Sequence, residues 1–175
     1  MKKKTINLKE ASFTQAINIS ALWCKEWGED LLSEEVLADR ISELIKTKNG
    51  LRGFFAYALS DRDCYLLDNL PSSIIFMLTK GGEEVVEILV KNLLMSSAQI
   101  IVHERENNIE YKLTSENISE RCKGILRVLE TKLVTKTINQ IIKDLDNIGN
   151  SFDNSTKYDD QQKEFIKQQI FDIAQ

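Results

Sequence analysis

The chain has 175 residues, of which 42% are hydrophobic and 29% are charged, and its formal net charge is −4. This composition is ordinary for a globular domain with a core, and it excludes a collagen-like, low-complexity or wholly disordered chain. The negative charge and a pI of about 5.2 argue against broad nucleic-acid binding, which needs a positive surface to displace counterions from phosphates.

Two amphipathic helices are predicted in the first fifty residues. Over residues 10–27, apolar side chains recur at helical spacing, and Gly28 is the expected stop. A second helix is expected to begin at Ser33, a favourable N-cap, and to end at Asn49–Gly50.

Trp23 and Trp27 lie four residues apart and therefore share one face of the first helix. Tryptophan is enriched at the energetically dominant positions of protein interfaces, so the pair is a candidate anchor for a protein partner. The alternative is that both rings cover the core of their own domain.

The segment 51–67 allows two predictions. Two strongly apolar runs are separated by Ser60, Asp61, Arg62 and Asp63. If the apolar residues follow the two-residue period of a strand, the segment is a short β-hairpin across a polar turn. If they follow the 3.6-residue period of a helix, it is a buried helical segment followed by a loop. The helical surroundings favour a helix.

A long helix is predicted at about 83–106, after a shorter one over 72–78. Its charged side, which includes Glu87 and Lys91, is limited to its first half. In the second half, uncharged polar residues form a narrow stripe with spacings of 4, 3 and 4: Asn92, Ser96, Gln99 and His103. Because the polar side changes along the helix, its middle is expected to be enclosed by other helices.

Two functions are open for this polar stripe. It could line a ligand pocket, with one titratable His103 among donors and acceptors for a small polar molecule. The simpler alternative is that these groups hydrogen-bond neighbouring helix ends, because buried polar groups need partners whatever the function.

The last part of the chain is expected to be helical as well, with one interruption. Residues 114–129 and 134–148 form two helices, or one long helix with a shifted apolar stripe. A polar, breaker-rich linker is predicted at 149–160, between a helical domain at 1–148 and a C-terminal amphipathic helix at 161–175, docked or conditional. The apolar face of that helix supplies further interface candidates: Phe165, Ile166 and Ile170.

The sequence contains none of the short catalytic or binding motifs that were sought. Neither a dinucleotide-binding nor a phosphate-binding glycine motif occurs, and the single histidine leaves a zinc site with few ligands. No cofactor, metal site or catalytic residue is therefore predicted, and the sequence leans against an enzyme. The three cysteines, Cys24, Cys64 and Cys122, are expected to be small buried hydrophobes rather than reactive or bridging thiols.

No segment is expected to cross a bilayer. The longest apolar stretch, Val85–Val102, is interrupted by polar and charged side chains and falls short of the roughly 20 apolar residues that a span needs. The N-terminus lacks the apolar run of a signal peptide. We therefore expect a cytoplasmic protein with no membrane partner.

The segments 52–59 and 89–98 resemble a small, uncharacterised helical protein family of cyanobacterial type. The resemblance covers roughly the middle half of the chain, and no activity follows from it. The fold expected overall is mainly α, a single-domain helical bundle with a central buried helix. The function expected is that of a non-enzymatic protein-interaction or assembly module, with a protein partner or self-association; the alternative is a ligand-binding or enzymatic domain that uses the polar stripe.

Overall fold

The structure is a computed structural model that describes residues 7–146 and 158–173. Within these ranges the chain is almost entirely helical and has no strand, which confirms the predicted mainly α class. After a short 3₁₀-helix at Leu8–Glu10, the helices are α1 (Phe13–Gly28), α2 (Glu34–Leu44), α3 (Lys48–Ser60), α4 (Leu66–Asn69), α5 (Ser72–Lys80), α6 (Gly82–Arg105), α7 (Ile109–Val128), α8 (Thr131–Asp146) and α9 (Asp160–Phe171).

The β-hairpin considered for residues 51–67 is wrong, because residues 54–59 lie in α3 and Leu66 and Leu67 lie in α4. The Thr47 hydroxyl accepts a hydrogen bond of 3.0 Å from the amide of Gly50 and caps α3. The polar residues of the expected hairpin turn end that helix instead. There the Asp61 carboxylate accepts a 2.9 Å hydrogen bond from the amide of Asp63.

The boundary between α2 and α3 also differs from the prediction. Ser33 caps α2 as expected, but the helix ends at Leu44, and Asn49–Gly50 lies in the first turn of α3. A Cβ at residue 50 would collide with the carbonyl oxygen of Leu44. Gly50 therefore allows the close approach of two backbone segments and does not terminate a helix.

The buried helix predicted at about 83–106 is observed as α6. Leu94, Ala98 and Ile101 are buried, while Met95 on its second half is exposed. In the first half, the Lys91 Nζ lies 2.6 Å from Glu87 Oε1. The predicted change from a charged side to an apolar side along one helix is thus present, with Met95 as the exception.

The prediction that no segment is long and apolar enough to cross a membrane is wrong, because one helix meets both criteria. α6 has 24 residues, and an 18-residue window within it has a mean hydropathy of 1.6. In the structure, 61% of that window is buried. The core helix of a soluble protein shows the same burial, so length and hydropathy alone argue only weakly for a span.

The chain divides into two compact units, Met1–Val85 and Val86–Gln175. In the first unit, α1 packs on α3, and α2 packs on α5 and α1. In the second unit, α8 packs against α7 and α9. The predicted boundaries of a helical domain at 1–148 and a linker at 149–160 stay predictions, since most of that linker lies outside the described residues.

The ambiguity between one and two helices near residue 130 is resolved as two. Leu129 is extended at the end of α7, and α8 begins at Thr131. The shift of the apolar stripe in the sequence coincides with this break. Ile148, the last residue of the predicted stripe, is outside the described ranges.

The core of the first unit is built on a close contact between α1 and α3. A Cβ at Gly53 would lie 3.0 Å from the carbonyl oxygen of Phe13 and 3.1 Å from the amide nitrogen of Ile17, and it would also meet the side chain of Ala16. The next residues, Phe54 and Phe55, are fully buried. Only glycine allows α3 to approach the α1 backbone this closely.

We expect Gly53→Ala to destabilise the protein. Forcing a methyl group into this contact costs about 1–3 kcal/mol, and the better helix propensity of alanine offsets about 1 kcal/mol of that loss. Urea denaturation followed by circular dichroism measures the change in the free energy of unfolding.

The matched control is Gly28→Ala, at the end of α1, where a Cβ would meet no atom within 4 Å. This variant should be unchanged or gain up to about 1 kcal/mol. Equal stability of the two variants would show that the α1–α3 contact is not tight.

Candidate functional site

The polar stripe on α6 does not converge on one point. Its four residues span about 16 Å of helix axis. The Asn92 side-chain amide donates a 2.8 Å hydrogen bond to the carbonyl oxygen of Ile88, and the Ser96 hydroxyl donates one of 3.1 Å to that of Leu93. Gln99 is exposed. Two of the four side chains therefore satisfy their donors on their own helix.

His103, the fourth member of the stripe, packs beside α7. Its ring centroid lies 5.5 Å from that of Tyr111, and the two rings are tilted by 36°. Its Nδ1 is 3.7 Å from Glu106 Oε2, which is too long for a hydrogen bond, and it makes no hydrogen bond within the described residues. His103 is thus placed for an aromatic contact with Tyr111, and its nearest charged neighbour given by the structure is the Glu106 carboxylate.

The C-terminal end of α1 is shaped by a Schellman motif, which the sequence analysis missed. Asp30 has a left-handed φ of 57°. Its amide donates to the carbonyl oxygen of Trp27 at 3.1 Å, and the amide of Leu31 donates to that of Glu26 at 2.8 Å. These two hydrogen bonds fix Leu31 at the end of α1, where 72% of its surface is exposed.

One of the two predicted tryptophans packs against a charged side chain of α2 in the first unit. Trp23 and Trp27 are half-buried. On α2, Val36 is 43% exposed, and one turn later the Arg40 guanidinium carbon lies 5.8 Å from the centroid of the Trp23 ring. Trp27 and Val36 lie one turn from this contact on α1 and α2, and Leu31 lies in the turn between the two helices. We call the set Trp23, Trp27, Leu31, Val36 and Arg40 the tryptophan face.

The position of Arg40 on this face is held by a second contact. Its Nη1 donates to Glu26 Oε2 at 3.2 Å. Both side chains are partly exposed, so this ion pair adds little stability by itself. Its effect is to keep the planar guanidinium beside the indole ring and at the protein surface.

The predicted interface residues of the C-terminal helix pack within the second unit. Ile166 and Ile170 on α9 are buried within the second unit, while Phe165 is half-buried. The Gln162 side-chain amide donates a 3.2 Å hydrogen bond to the carbonyl oxygen of Ala98 on α6. The apolar face of α9 therefore belongs to the core of its own unit.

Charged side chains hold α9 at its C-terminal end. Lys123 on α7 is only 4% exposed. Its ammonium donates to Gln169 Oε1 at 2.8 Å and lies 2.6 Å from Glu120 Oε1 and 3.8 Å from Asp172 Oδ2. A buried ammonium is costly without partners, so these contacts fix the position of α9 on α7.

A second charged contact lies at the start of α9. Arg105 bonds both carboxylate oxygens of Asp159, at 2.6 and 3.2 Å, and also Gln161. Asp159 is the N-cap of α9 and forms a capping box with Gln162. The Arg105 hydrogen bond, followed by that from the Gln162 amide, lowers the pKa of Asp159 to about 2.

Lys123 and Arg105 were not singled out from the sequence. Lys123 does have a local signal, because it adjoins Cys122 on the buried side of α7, where a lysine is unusual. Apart from Glu120, the partners of Lys123 and Arg105 described above lie on α9 or at its two ends, far along the chain. In the described ranges, no group of three or more histidine, cysteine or acidic side chains is placed to hold a metal ion.

The arrangement defines a mainly α-helical protein of two compact units. A protein-family model described as "Uncharacterised conserved protein UCP020893" matches residues 12–173, and the chain belongs to that family. This confirms the resemblance to an uncharacterised helical family, while its cyanobacterial type stays a prediction. Neither the curated proteins nor the solved structures contain a significant match.

The lowered pKa of Asp159 predicts a pH dependence for the capping of α9. A carboxyl whose pKa is lower in the folded state contributes stability above its unfolded pKa, here about 3.8, and loses that contribution as the pH falls to about 2. In Arg105→Gln we expect the pKa of Asp159 to rise toward 3.8 and to stop short of it, because the backbone donors remain. An NMR titration of the carboxyl carbon measures both values, and an unchanged pKa would contradict the contact.

Truncation after Gly149 tests the contribution of α9. Because the shortened chain lacks the buried side chains of Ile166 and Ile170, we expect a lower melting temperature. Within the full chain, Ile166→Ala should cost about 2–5 kcal/mol. Phe171→Ala, on the same helix but 64% exposed, should cost less than about 0.5 kcal/mol. A truncated chain with an unchanged melting temperature and size would show that α9 neither stabilises nor assembles the protein.

Proposed function

We propose that this chain is a protein-interaction module that assembles with a second copy of itself through the tryptophan face. The observation that carries the proposal is the pairing of Arg40 with Trp23 at a surface that also leaves Leu31 and Val36 exposed. Tryptophan and arginine are the residue types most enriched among those that dominate binding energy at protein interfaces. An apolar surface with a charged edge is typical of such contacts.

The apolar face of α9 and the tryptophan face differ in their exposure. In the second unit, the apolar face of α9 is used in the unit's own core through Ile166 and Ile170. In the first unit, Leu31 in the turn between α1 and α2 and Val36 in the first turn of α2 remain at the surface. This contrast supports the tryptophan face, rather than α9, as the surface for assembly.

Arg40 of the tryptophan face and the neighbouring Glu26 favour a second copy as the partner. Arg40 and Glu26 lie next to each other and have opposite signs. In a two-fold symmetric contact, Arg40 of one copy can approach Glu26 of the other, and the same pairing is repeated by symmetry. Neither charge is then buried without a partner, which would otherwise oppose association.

The polar stripe gives less support to the ligand-binding alternative. Asn92 and Ser96 direct their donors to carbonyl oxygens of α6 itself, and Gln99 faces outward from the fold. A pocket for a small polar molecule requires several groups that converge on it. A non-enzymatic role, a cytoplasmic location and the absence of a membrane or nucleic-acid partner stay predictions that accompany the proposal.

The proposal is tested by the molar mass of the protein across a concentration series in analytical ultracentrifugation. The wild-type chain should approach twice its 20.1 kDa mass as concentration rises. Leu31→Ser and Trp27→Ala should each weaken the dimer at least tenfold, about 1.4 kcal/mol, because they remove apolar contact area. Leu31 is mostly exposed, so its substitution should leave the melting temperature of the monomer unchanged.

The matched control is Leu113→Ser on α7, which removes a 52% exposed leucine from the second unit. Dimerisation of this variant should equal that of the wild type. A wild-type chain that stays at 20.1 kDa at every concentration would contradict the proposal. A small metabolite that raises the melting temperature of the wild type, but not of His103→Ala, would favour the polar stripe instead.

A further inference from the structure

Both ends of α9 are held by basic side chains of α6 and α7. At its start, the Nη1 of Arg105 on α6 donates to Oδ2 of the N-cap residue Asp159 at 2.6 Å. At its end, the Nη2 of Arg127 on α7 donates a 2.9 Å hydrogen bond to the carbonyl oxygen of the C-cap residue Asp172. Both contacts lie at the protein surface, where water can replace either partner.

Between its ends, α9 meets its neighbours partly through enclosed polar groups. Gln169 Oε1 accepts a 2.8 Å hydrogen bond from the Lys123 ammonium and lies 3.5 Å from the Ser119 hydroxyl. Lys123 and Ser119 are both buried on α7. Gln162, also buried, donates through its side-chain amide to the carbonyl oxygen of Ala98 on α6. When α9 leaves, water can satisfy all of these groups, so their separation costs less than the loss of an apolar contact.

The apolar part of the contact is small. Within α9, the buried apolar side chains are those of Ile166 and Ile170, and Ile173 follows just after the helix. Phe171 is mostly exposed. A helix of 12 residues is marginal on its own in water. The helical hydrogen bonds of α9 therefore depend on its docking, and the release of α9 unfolds it.

We propose that α9 is a releasable strap, which leaves the second unit and refolds onto it as one element while α7 and α8 stay folded. Removing one partner of a charged group that stays buried is strongly unfavourable. A shifted α9 would do this to Lys123, whereas a released α9 gives the ammonium back to water. The same contacts therefore oppose a shifted helix more than a detached one. The strap has two states, docked in one register or released.

Release changes the surface of the second unit. Arg105, Lys123 and Arg127 lose their oxygen partners on the strap, and Lys123, which is nearly enclosed in the docked state, becomes accessible. The strap thus controls the exposure of a positive charge and of the apolar groups that Ile166 and Ile170 cover. The proposal is independent of assembly through the tryptophan face.

Hydrogen exchange of the backbone amides, followed by NMR on the full-length wild-type chain, tests the proposal. After correction for intrinsic rates, the amides from Glu164 to Phe171 should share one opening equilibrium and exchange at least about tenfold faster than the slowest amides of α7. A graded loss of protection toward Phe171 would show fraying of a chain end. Protection equal to that of α7 would show that α9 opens only with the rest of its unit. Either result overturns the proposal.

A double variant tests whether the polar contact makes the strap releasable. Lys123→Met with Gln169→Leu replaces the enclosed polar pair by apolar side chains of similar size, a change that is often neutral or stabilising for a buried ion pair. Because release would then expose apolar groups, the amides of α9 should exchange at least about tenfold more slowly than in the wild type. An unchanged or faster exchange of these amides would contradict the role of the polar contact.

The matched control is Lys143→Met, which makes the same lysine substitution at an exposed position of α8. Exchange of the α9 amides in this variant should stay within about twofold of the wild type. The exchange measured on the wild-type chain does not depend on whether any variant folds.

Discussion

The close packing of α1 against α3 is the constraint on which the first unit depends. Gly53 allows the two helices to approach so that Phe54 and Phe55 enter the core. The same helix, α1, carries Cys24 and the two tryptophans toward its C-terminal end. The position of α1 against α3 therefore also places the α1 residues of the tryptophan face.

In the second unit, charged side chains determine where α9 packs, and the burial of its apolar side chains stabilises it there. Ile166 and Ile170 supply buried area on α9, and area alone does not specify where along its neighbours a helix lies. Lys123 and Arg105 supply that specificity, because each meets acceptors on or just before α9 in a directional arrangement. A displaced α9 would leave the ammonium of Lys123 buried with fewer partners.

The polar stripe shows how a functional pattern on a helix can be satisfied locally. Asparagine and serine readily hydrogen-bond to carbonyl oxygens one turn earlier, and Asn92 and Ser96 both do so. Their spacing on one face is then compatible with a purely structural role. The tryptophan face differs from the polar stripe. Its aliphatic side chains cannot be stabilised by hydrogen bonds to their own helix and leave water only by packing against other apolar groups. Membership of the family assigns no activity to the chain.

The sequence by itself determined what depends on neighbouring residues: the mainly α class, the extent of α6, and the Ser33 cap. Helical periodicity and capping act over a few residues, so they can be read from a short stretch of chain. The tertiary structure decided whether residues 51–67 form helices or a hairpin, and that Lys123 is buried under α9. These outcomes depend on contacts between residues more than forty positions apart, or on burial that short apolar runs do not encode, and no local pattern contains that information.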